Sequence, residues 1–487
     1  MKLKSYLFTI AIVFGFFSHS IHAQTGKYGE WTEIDYSTNN SYYSLCENLP
    51  NGDLLRVKKY NEIDYVSYEN IIDKLDRNGK VLKSISIDLD SINLYFIKAR
   101  RISSENYTIL FGYADTYLVL GFITDDLDIL SIKVIDIHNK LPFVDLDPLI
   151  LENGNIMVVG STNLFNLSND IPNMFFMLLD SKGELLNQKV VDVIFPERHC
   201  FSLEEEIDSD EVICLGADVY KLSNDVSKVT KLGDDKIGIS PGNQVKIRKW
   251  NDEKYLVAAS GGLSQPDPFN FDSFICFVDR NLEGIRYNGF NLPFEDGYAI
   301  PRNPFDYYDR NKIYFGFQDD LFSGISDMGF HLMQLDSTLH QVWQISMKGN
   351  DISVQIRNIT ATSDGGILVF GYKVVPKGSI LNRYPLMIKI NSDGVLADSQ
   401  DPDISDFTFI KVFPNPTSGA LNLQLSGLTA NADIRIFDSN GRNVFVFPNA
   451  QNGENTLDIT HLPSGTYIYK VYQGNKNLGS GKIVKVD

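Results

Sequence analysis

The feature that most constrains this chain is a pattern that returns about every 50 residues. Residues 149–191, LILENGNIMVVGSTNLFNLSNDIPNMFFMLLDSKGELLNQKVV, show it in full. A polar turn at Asn153-Gly154 leads into an apolar run ending at Gly160. A variable loop, a second apolar run and the turn Asp180-Ser181-Lys182-Gly183 follow. Asn-Gly and Asp-x-x-Gly supply the positive φ that tight hairpins require, so the stretch reads as one four-stranded antiparallel unit. The first turn recurs at Asn51-Gly52, Ser104-Glu105-Asn106, Asp208-Ser209-Asp210, Asn251-Asp252, Asp309-Arg310-Asn311 and Asp364-Gly365-Gly366, with centres about 43 to 58 residues apart. Apolar runs follow these turns, and six copies carry a strand glycine: Gly112, Gly160, Gly216, Gly261, Gly316 and Gly371. The second turn recurs as LDRNGKVL (75–82), LDSKGELL (179–186), VDRNLEGI (278–285), LDSTLHQV (335–342) and INSDGVLA (390–397). ITDDLDIL is a looser version, and YKLSNDVSKV the weakest.

The apolar runs are nearly continuous rather than alternating, as expected of sheets covered on both faces. One copy cannot bury both faces, so the copies must stack. Four strands per copy at this spacing predict an all-β body that is a seven-bladed β-propeller. Chain order leaves the last blade one strand short, and Trp31-Thr32-Glu33-Ile34 is expected to supply its outer strand. Glycines in the strands are expected where neighbouring backbones approach closely. The loops 163–173, 261–273, 318–329 and 374–385 belong to one type of connection and are expected on one rim, where binding usually sits.

The N-terminus has the parts of a secretory signal peptide over residues 1–23. Lys2 and Lys4 precede an apolar core at 7–17, and Ile21-His22-Ala23 precedes Gln24 as a cleavage site. No cysteine follows that site, so no lipid anchor is expected, and no later stretch is apolar enough to span a membrane. The formal net charge is −18, and residues 404–487 carry six acidic and seven basic residues, so the acidity lies in the body. An acidic body argues against nucleic acid and anionic lipid as partners. Export permits disulfides among Cys46, Cys200, Cys214 and Cys276. Cys200 and Cys214 are the nearest pair, although Cys214 in VICLG reads equally as core packing.

The body is assigned to residues 24–397. DSQDPDISD marks an acidic linker at 398–406, and the pattern then changes to the shorter strands of a small Ig-like β-sandwich at 407–487. Five blocks stand out there: Val412-Phe413-Pro414-Asn415-Pro416-Thr417-Ser418-Gly419, Ile436-Phe437-Asp438-Ser439-Asn440-Gly441-Arg442, Leu457-Asp458-Ile459, Leu462-Pro463-Ser464-Gly465-Thr466-Tyr467, and Lys482-Ile483-Val484-Lys485-Val486. In order and spacing they resemble the type A C-terminal sorting domain of the type IX secretion system of Bacteroidetes. The resemblance implies Sec export into the periplasm, recognition by the outer-membrane translocon and its processing peptidase, and a product released or held on the outer cell surface. The residues it singles out are Pro414, Asn415, Pro416, Gly419, Asp438, Gly441, Leu462, Gly465, Tyr467, Lys482 and Lys485. Physically, Pro414 and Pro416 cannot donate to a ladder, and Gly419, Gly441 and Gly465 suit turns before strands.

No GxSxG, Walker loop, HExxH or helix-opening GxGxxG is present. His19 and His22 fall in the leader and His461 in the tail; His138, His199, His331 and His340 are scattered and read as surface or core residues. TSDGGILVF at Asp364 resembles the aspartate-box turn of sialidase propellers without its closing aromatic, and fits the common hairpin as well. No catalytic residue and no cofactor are assigned. Calcium at acidic clusters such as Asp145/Asp147 or Asp125/Asp126/Asp128 is the one candidate ion, with no ordered ligand loop. The reading is an exported, non-catalytic propeller binding a glycan or protein on its rim. The alternative is a carbohydrate-active or other hydrolytic propeller using paired carboxylates.

Overall fold

The computed structural model describes residues 32–34, 42–61, 68–76, 80–87, 94–102, 106–114, 117–136, 143–162, 173–192, 202–216, 219–233, 244–261, 272–290, 297–299, 303–319, 329–349, 353–377, 380–394 and 407–487. The leader, the linker and most of the rim loops lie outside them. Among the described residues there is no helix; all the regular structure is strand.

After a short β1 (Thr32–Ile34), seven sheets follow in chain order. Sheet one is β2 (Tyr42–Asn48), β3 (Leu54–Asn61), β4 (Tyr68–Leu75) and β5 (Val81–Ile87). Sheet two is β6 (Leu94–Ile102), β7 (Tyr107–Ala114), β8 (Tyr117–Thr124) and β9 (Ile129–Asp136). Sheet three is β10 (Phe143–Ile150), β11 (Ile156–Thr162), β12 (Asn173–Leu179) and β13 (Leu185–Asp192). Sheet four, with the shortest strands of the first five sheets, is β14 (Ser202–Glu205), β15 (Glu211–Leu215), β16 (Val219–Ser223) and β17 (Val229–Gly233). Sheet five is β18 (Gln244–Lys249), β19 (Lys254–Gly261), β20 (Asp272–Asp279) and β21 (Gly284–Phe290). In sheet six, β22 (Gly297–Ala299) and β23 (Phe305–Asp306) both pair with β24 (Ile313–Asp319), followed by β25 (Gly329–Leu335) and β26 (Gln341–Gly349). Sheet seven is β27 (Ser353–Ala361), β28 (Ile367–Lys377) and β29 (Ile380–Ile390). Its fourth strand is β1, with Thr32 opposite Ile388 and Ile34 opposite Leu386.

Strand periodicity explains why these sheets stack. Successive side chains point to opposite faces, and each face meets a different neighbour. In β11, Ile156 and Val158 join the apolar cluster shared with sheet two, while Met157 and Val159 join the one shared with sheet four. Such clusters lie between every consecutive pair from sheets one and two to sheets six and seven. A smaller one, Leu54, Leu75, Leu368, Phe370 and Met387, joins sheet seven to sheet one. That last contact also carries charge: Arg56, Lys58, Asp73 and Lys389 are all buried on the facing strands. The first strands touch in the same order, β2 to β6, β10, β14, β18 and β22, and β27 touches both β23 and β2.

The second turn obeys one rule in two chemistries. Asp180 Oδ1 accepts the Lys182 and Glu184 N–H groups, and Asp279 and Asp336 do the same for their turns. In the looser copies a hydroxyl stands in: Thr124 Oγ1 accepts from Asp126 and Asp128, and Ser223 Oγ from Lys228. The left-handed residue is Gly183 or Gly394 in two copies, but Leu127, Val226, Leu282 and Leu339 in four others, with φ between 59° and 66°. Those four side chains are fully buried between sheets, which offsets the strain of a non-glycine there. Where glycine holds the place, the neighbouring sheet fills it: a Cβ on Gly394 would stand 2.8 Å from the Trp343 ring.

Two expectations need correction. The stretch 374–385 is no rim loop, because β28 and β29 stay paired out to Lys377 and Ile380. The strand glycines have more than one cause. A Cβ on Gly371 would strike the Gln355 carbonyl, a true backbone approach, whereas Gly160 is covered by the ring of its cross-strand partner Phe175. Cys214 and Cys276 are free, buried core thiols, and burial pushes Cys276 up to about 12 and Cys214 well above its usual range.

The tail forms a two-sheet sandwich. One sheet is β30 (Phe407–Phe413), β31 (Ala420–Ser426) and β34 (Gly453–Asp458). The other is β33 (Asn443–Ala450), β32 (Ala432–Phe437), β35 (Gly465–Gln473) and β36 (Lys476–Lys485). Alternating residues such as Leu421, Leu423 and Leu425 meet Ile434, Ile436, Tyr467, Tyr469 and Val471 in its core. β30 also pairs with β26, so sheet six runs on into the tail as one eight-stranded sheet.

Candidate functional site

The opening strands of the first six sheets bring together charges far apart in sequence. Glu47 on β2, Lys98 and Arg100 on β6, Asp147 on β10, Glu204 on β14, Lys246 and Arg248 on β18 and Asp306 on β23 all lie there. Asp147 sits 3.2 Å from Lys98 and 3.4 Å from Arg100. Arg248 donates to Asp306 at 2.9 Å. Arg100 lies 3.9 Å from Glu47, and both are about a third exposed. The Lys246 ammonium nitrogen contacts Asn303 Oδ1 and the Phe305 carbonyl, the latter at 2.8 Å.

Many of these groups tie one sheet to the next. The Leu203 N–H donates to Asp147 Oδ2 at 2.9 Å, the Lys249 N–H to Glu204 Oε2 at 2.9 Å, and the Ala361 N–H to Asp306 Oδ2 at 2.9 Å. In each case a carboxylate satisfies a backbone donor on the following sheet. Asn48 Nδ2 closes the series by donating to the Ala361 carbonyl at 2.6 Å. The enclosure shifts four groups. Burial raises the Glu204 carboxyl, and against burial, which lowers it, Asp306 is the main influence that raises the Arg248 guanidinium. Burial raises the Glu47 carboxyl, with Arg100 pulling it back down. Burial lowers the Lys246 ammonium to about 7, with Asp306 opposing and Arg248, Lys98 and Arg100 adding to the shift. A neutral amine still has the two N–H donors that Asn303 and Phe305 accept.

Of the acidic residues considered for calcium, four are engaged with cations. Asp125, Asp126 and Asp128 face Arg101, Lys74 and Lys83, and Asp147 belongs to the network above. Among the described residues no group of three or more His, Cys, Asp or Glu is placed to hold a metal ion. His331 is buried and stacked on Phe317 with Nδ1 2.9 Å from Ser346 Oγ, and His340 sits at the exposed Asp336 turn. The convergent charges were visible in sequence as polar residues alternating with apolar ones in YFIKARRI, FVDLDPLI and QVKIRK.

The tail residues singled out by sequence fall into three places. Asn415 is buried and acts as a strand substitute: its Nδ2 donates to the Lys482 carbonyl at 2.7 Å and its Oδ1 accepts the Val484 N–H at 2.7 Å. Thr417 continues this pairing with Val484 and Val486, so the first and last blocks meet at the β36 edge. Pro414 and Pro416 are exposed on either side of Asn415. Gly465 opens β35 opposite Lys485, Tyr467 donates to the Pro463 carbonyl at 2.7 Å, and Lys482 pairs with Ile468. Burial lowers the Lys482 ammonium. Gly465 stands at the end of the turn that precedes β35, as expected, with an ordinary φ and the Tyr467 ring 4.0 Å from where a Cβ would go. The second place is the corner at Ile459–Leu462. Gly419 accepts the Ile459 N–H there, and a Cβ on it would lie 2.3 Å from Thr460 Cγ2. The third is the β32–β33 turn. Asp438 accepts from the Asn440 and Arg442 backbones, which together with the Arg442 guanidinium hold its carboxyl below the usual range, and Gly441 has φ 76°.

Residues 411–486 match the family described as the secretion system C-terminal sorting domain. This tail supports an exported protein, secreted or held at the cell surface, and implies contact with the type IX secretion machinery. No helix among the described residues is long and apolar enough to cross a membrane. Among curated proteins none matches the chain. Similar solved structures include an acylaminoacyl peptidase from Pyrococcus horikoshii, at 10% identity and TM-score 0.40 over 79% of this chain and 58% of that one. YCF48 bound to D1 peptide is similar at 12% identity and TM-score 0.40 over 76% and 100% of the two chains. A member of the DUF4221 family from Bacteroides vulgatus is similar at 11% identity and TM-score 0.33 over 74% and 99%.

Proposed function

We propose that this is an exported, non-catalytic binding protein, with a seven-bladed β-propeller as body and the type IX secretion system as its route. The observation that carries the propeller reading is the order of contacts. Among the described residues each of the seven sheets packs against its neighbours in sequence, sheet seven meets sheet one, and β1 completes sheet seven from the other end of the body. A radial array of four-stranded sheets gives that order. The route runs through a Sec signal peptide over residues 1–23 and the periplasm, with the translocon and its processing peptidase reading the tail.

Binding is favoured over carboxylate catalysis because Asp147, Glu204 and Asp306 spend their oxygens on neighbouring backbones and cations. Glu47, Arg100 and Arg248 keep a third or more of their side chains exposed. They offer a polar surface at the axis, suited to a glycan or an extended peptide. The hydrolytic reading rests on Glu47, whose carboxyl is raised by burial and lies 3.9 Å from Arg100.

The test uses the full chain on glycan and peptide arrays beside Glu47→Gln and Arg100→Ala, with polysaccharide hydrolysis assayed in parallel. Saturable binding weakened by Arg100→Ala is the expected outcome. Turnover abolished by Glu47→Gln would replace this reading with the hydrolytic one. For the route, deleting residues 405–487 is expected to trap the protein in the periplasm, and its normal appearance outside the cell refutes the role given to the tail.

A further inference from the structure

The eight-stranded sheet holds a contact that neither the repeat nor the sorting motif calls for. β30 lies along the outer edge of β26, from Gln344 opposite Val412 to Gly349 opposite Phe407. Its side chains divide between two cores. Ile410 and Val412 point into the sandwich, whereas Phe409 is buried with Trp343, Ile345 and Met347 in the cluster between sheets six and seven. Lys411 on that same face reaches the Asp393 carbonyl in the last turn of sheet seven. The opposite face of β26 is covered by β36. Gly479 and Gly481 allow the close approach, since Cβ atoms there would stand 3.4 Å from Ser346 Cβ and 2.7 Å from Gln344 Nε2. Ser346 Oγ donates to the Ser480 carbonyl at 3.1 Å and meets His331 on its other side.

This contact differs from the cores on either side of it. Gln344 is fully buried, and neither its amide nitrogen nor its oxygen has a hydrogen-bond partner among the described residues. The buried Thr408 hydroxyl is in the same state. Buried polar groups left unmatched subtract from the free energy of association. The sandwich meanwhile has an apolar core of its own that does not use Phe409.

We propose that the outer edge of sheet six is a releasable dock for the sorting domain. In the folded precursor the body holds β30 as an added strand and covers part of β36. Separation yields an intact sandwich and leaves the β26 edge free. The partner of that edge is therefore this chain's own tail, bound by strand addition with one aromatic anchor, Phe409.

Hydrogen exchange on the full chain tests this, followed by strand. The amides of β26 and β30 that bond to each other are expected to exchange at least 10-fold faster than those of β25 and β35, through an opening that leaves both cores protected. Phe409→Asp is expected to speed exchange of these amides a further 10-fold or more, with β31 to β36 unchanged. Gln344→Leu removes the unmatched amide and is expected to slow it several-fold, which keeps the test valid should the aspartate variant fold poorly. Exchange of these amides only together with global unfolding would overturn the proposal. So would β26 protection indifferent to both substitutions.

Discussion

Beside the contact between sheet seven and sheet one, sheet one carries a buried ion pair of its own. The apolar cluster at that contact has only five residues, and Arg56 and Asp73 are buried beside it, with side chains 3% and 6% exposed. Arg56 Nε and Nη2 both donate to Asp73 Oδ2, at 3.0 and 2.7 Å, and Ser84 Oγ donates to Oδ1 at 2.6 Å. Asp73→Ala removes the acceptor of three hydrogen bonds and leaves a guanidinium in the interface without its carboxylate. Breaking a buried pair on one side costs about 3–5 kcal/mol, a large share of the roughly 5–15 kcal/mol that holds a domain folded.

The pair itself is a different matter, because its attraction is set against the desolvation of both ions. Replacing both members by apolar residues of similar size, Arg56→Met with Asp73→Leu, should leave stability within about 1 kcal/mol of the parent or raise it. Urea midpoints of the parent, the two single variants and the double variant give the coupling. Hydrogen exchange in sheets one and seven locates it. The reasoning is refuted if Asp73→Ala costs under about 1 kcal/mol, or if the double variant is as unstable as the worse single one.

Three further outcomes are expected. Thr124→Ala should destabilise by about 1 kcal/mol and Thr124→Asp by much less, because either side chain can accept the Asp126 and Asp128 N–H groups; thermal melts of both variants decide it. Asn415→Ala should cost roughly 1–3 kcal/mol by leaving the Val484 N–H and Lys482 carbonyl unmatched, read as faster hydrogen exchange confined to β36. Lys246 sets a pH dependence. Its folded value of about 7 lies below the unfolded one, so the unfolded chain binds the extra proton between them. Stability then rises with pH from about 7 to about 10, by up to about 1.4 kcal/mol per unit. Lys246→Met should flatten that rise in urea midpoints taken at pH 6.5 and 9.5, and an unchanged slope would assign it to other groups.

The repeat was legible because turn chemistry is local. A positive φ after a capping side chain leaves the same signature wherever it occurs, as at Asn153-Gly154 and Asp180-Gly183. The two copies that read as weak show where a residue-type signature falls short of the physics. Thr124 and Ser223 supply the same acceptor as aspartate, and Leu127 and Val226 take the left-handed position because burial between sheets compensates them. The charges on the opening strands were harder to see. Each is a single polar residue on one strand, and only the stacking of sheets brings Glu47, Arg100 and Asp147 within reach of one another. The docking of β30 was not legible at all. An edge strand offers unpaired backbone groups to any strand, so periodicity in β26 does not name its partner. The choice is made by tertiary details: an apolar slot that admits Phe409, and two glycines on β36 that let the sandwich close over Gln344 and Ser346. Most proteins blunt such an edge with charge, proline or a bulge. Here the export signal itself covers it, which couples the exposure of an adhesive strand to the state of the tail.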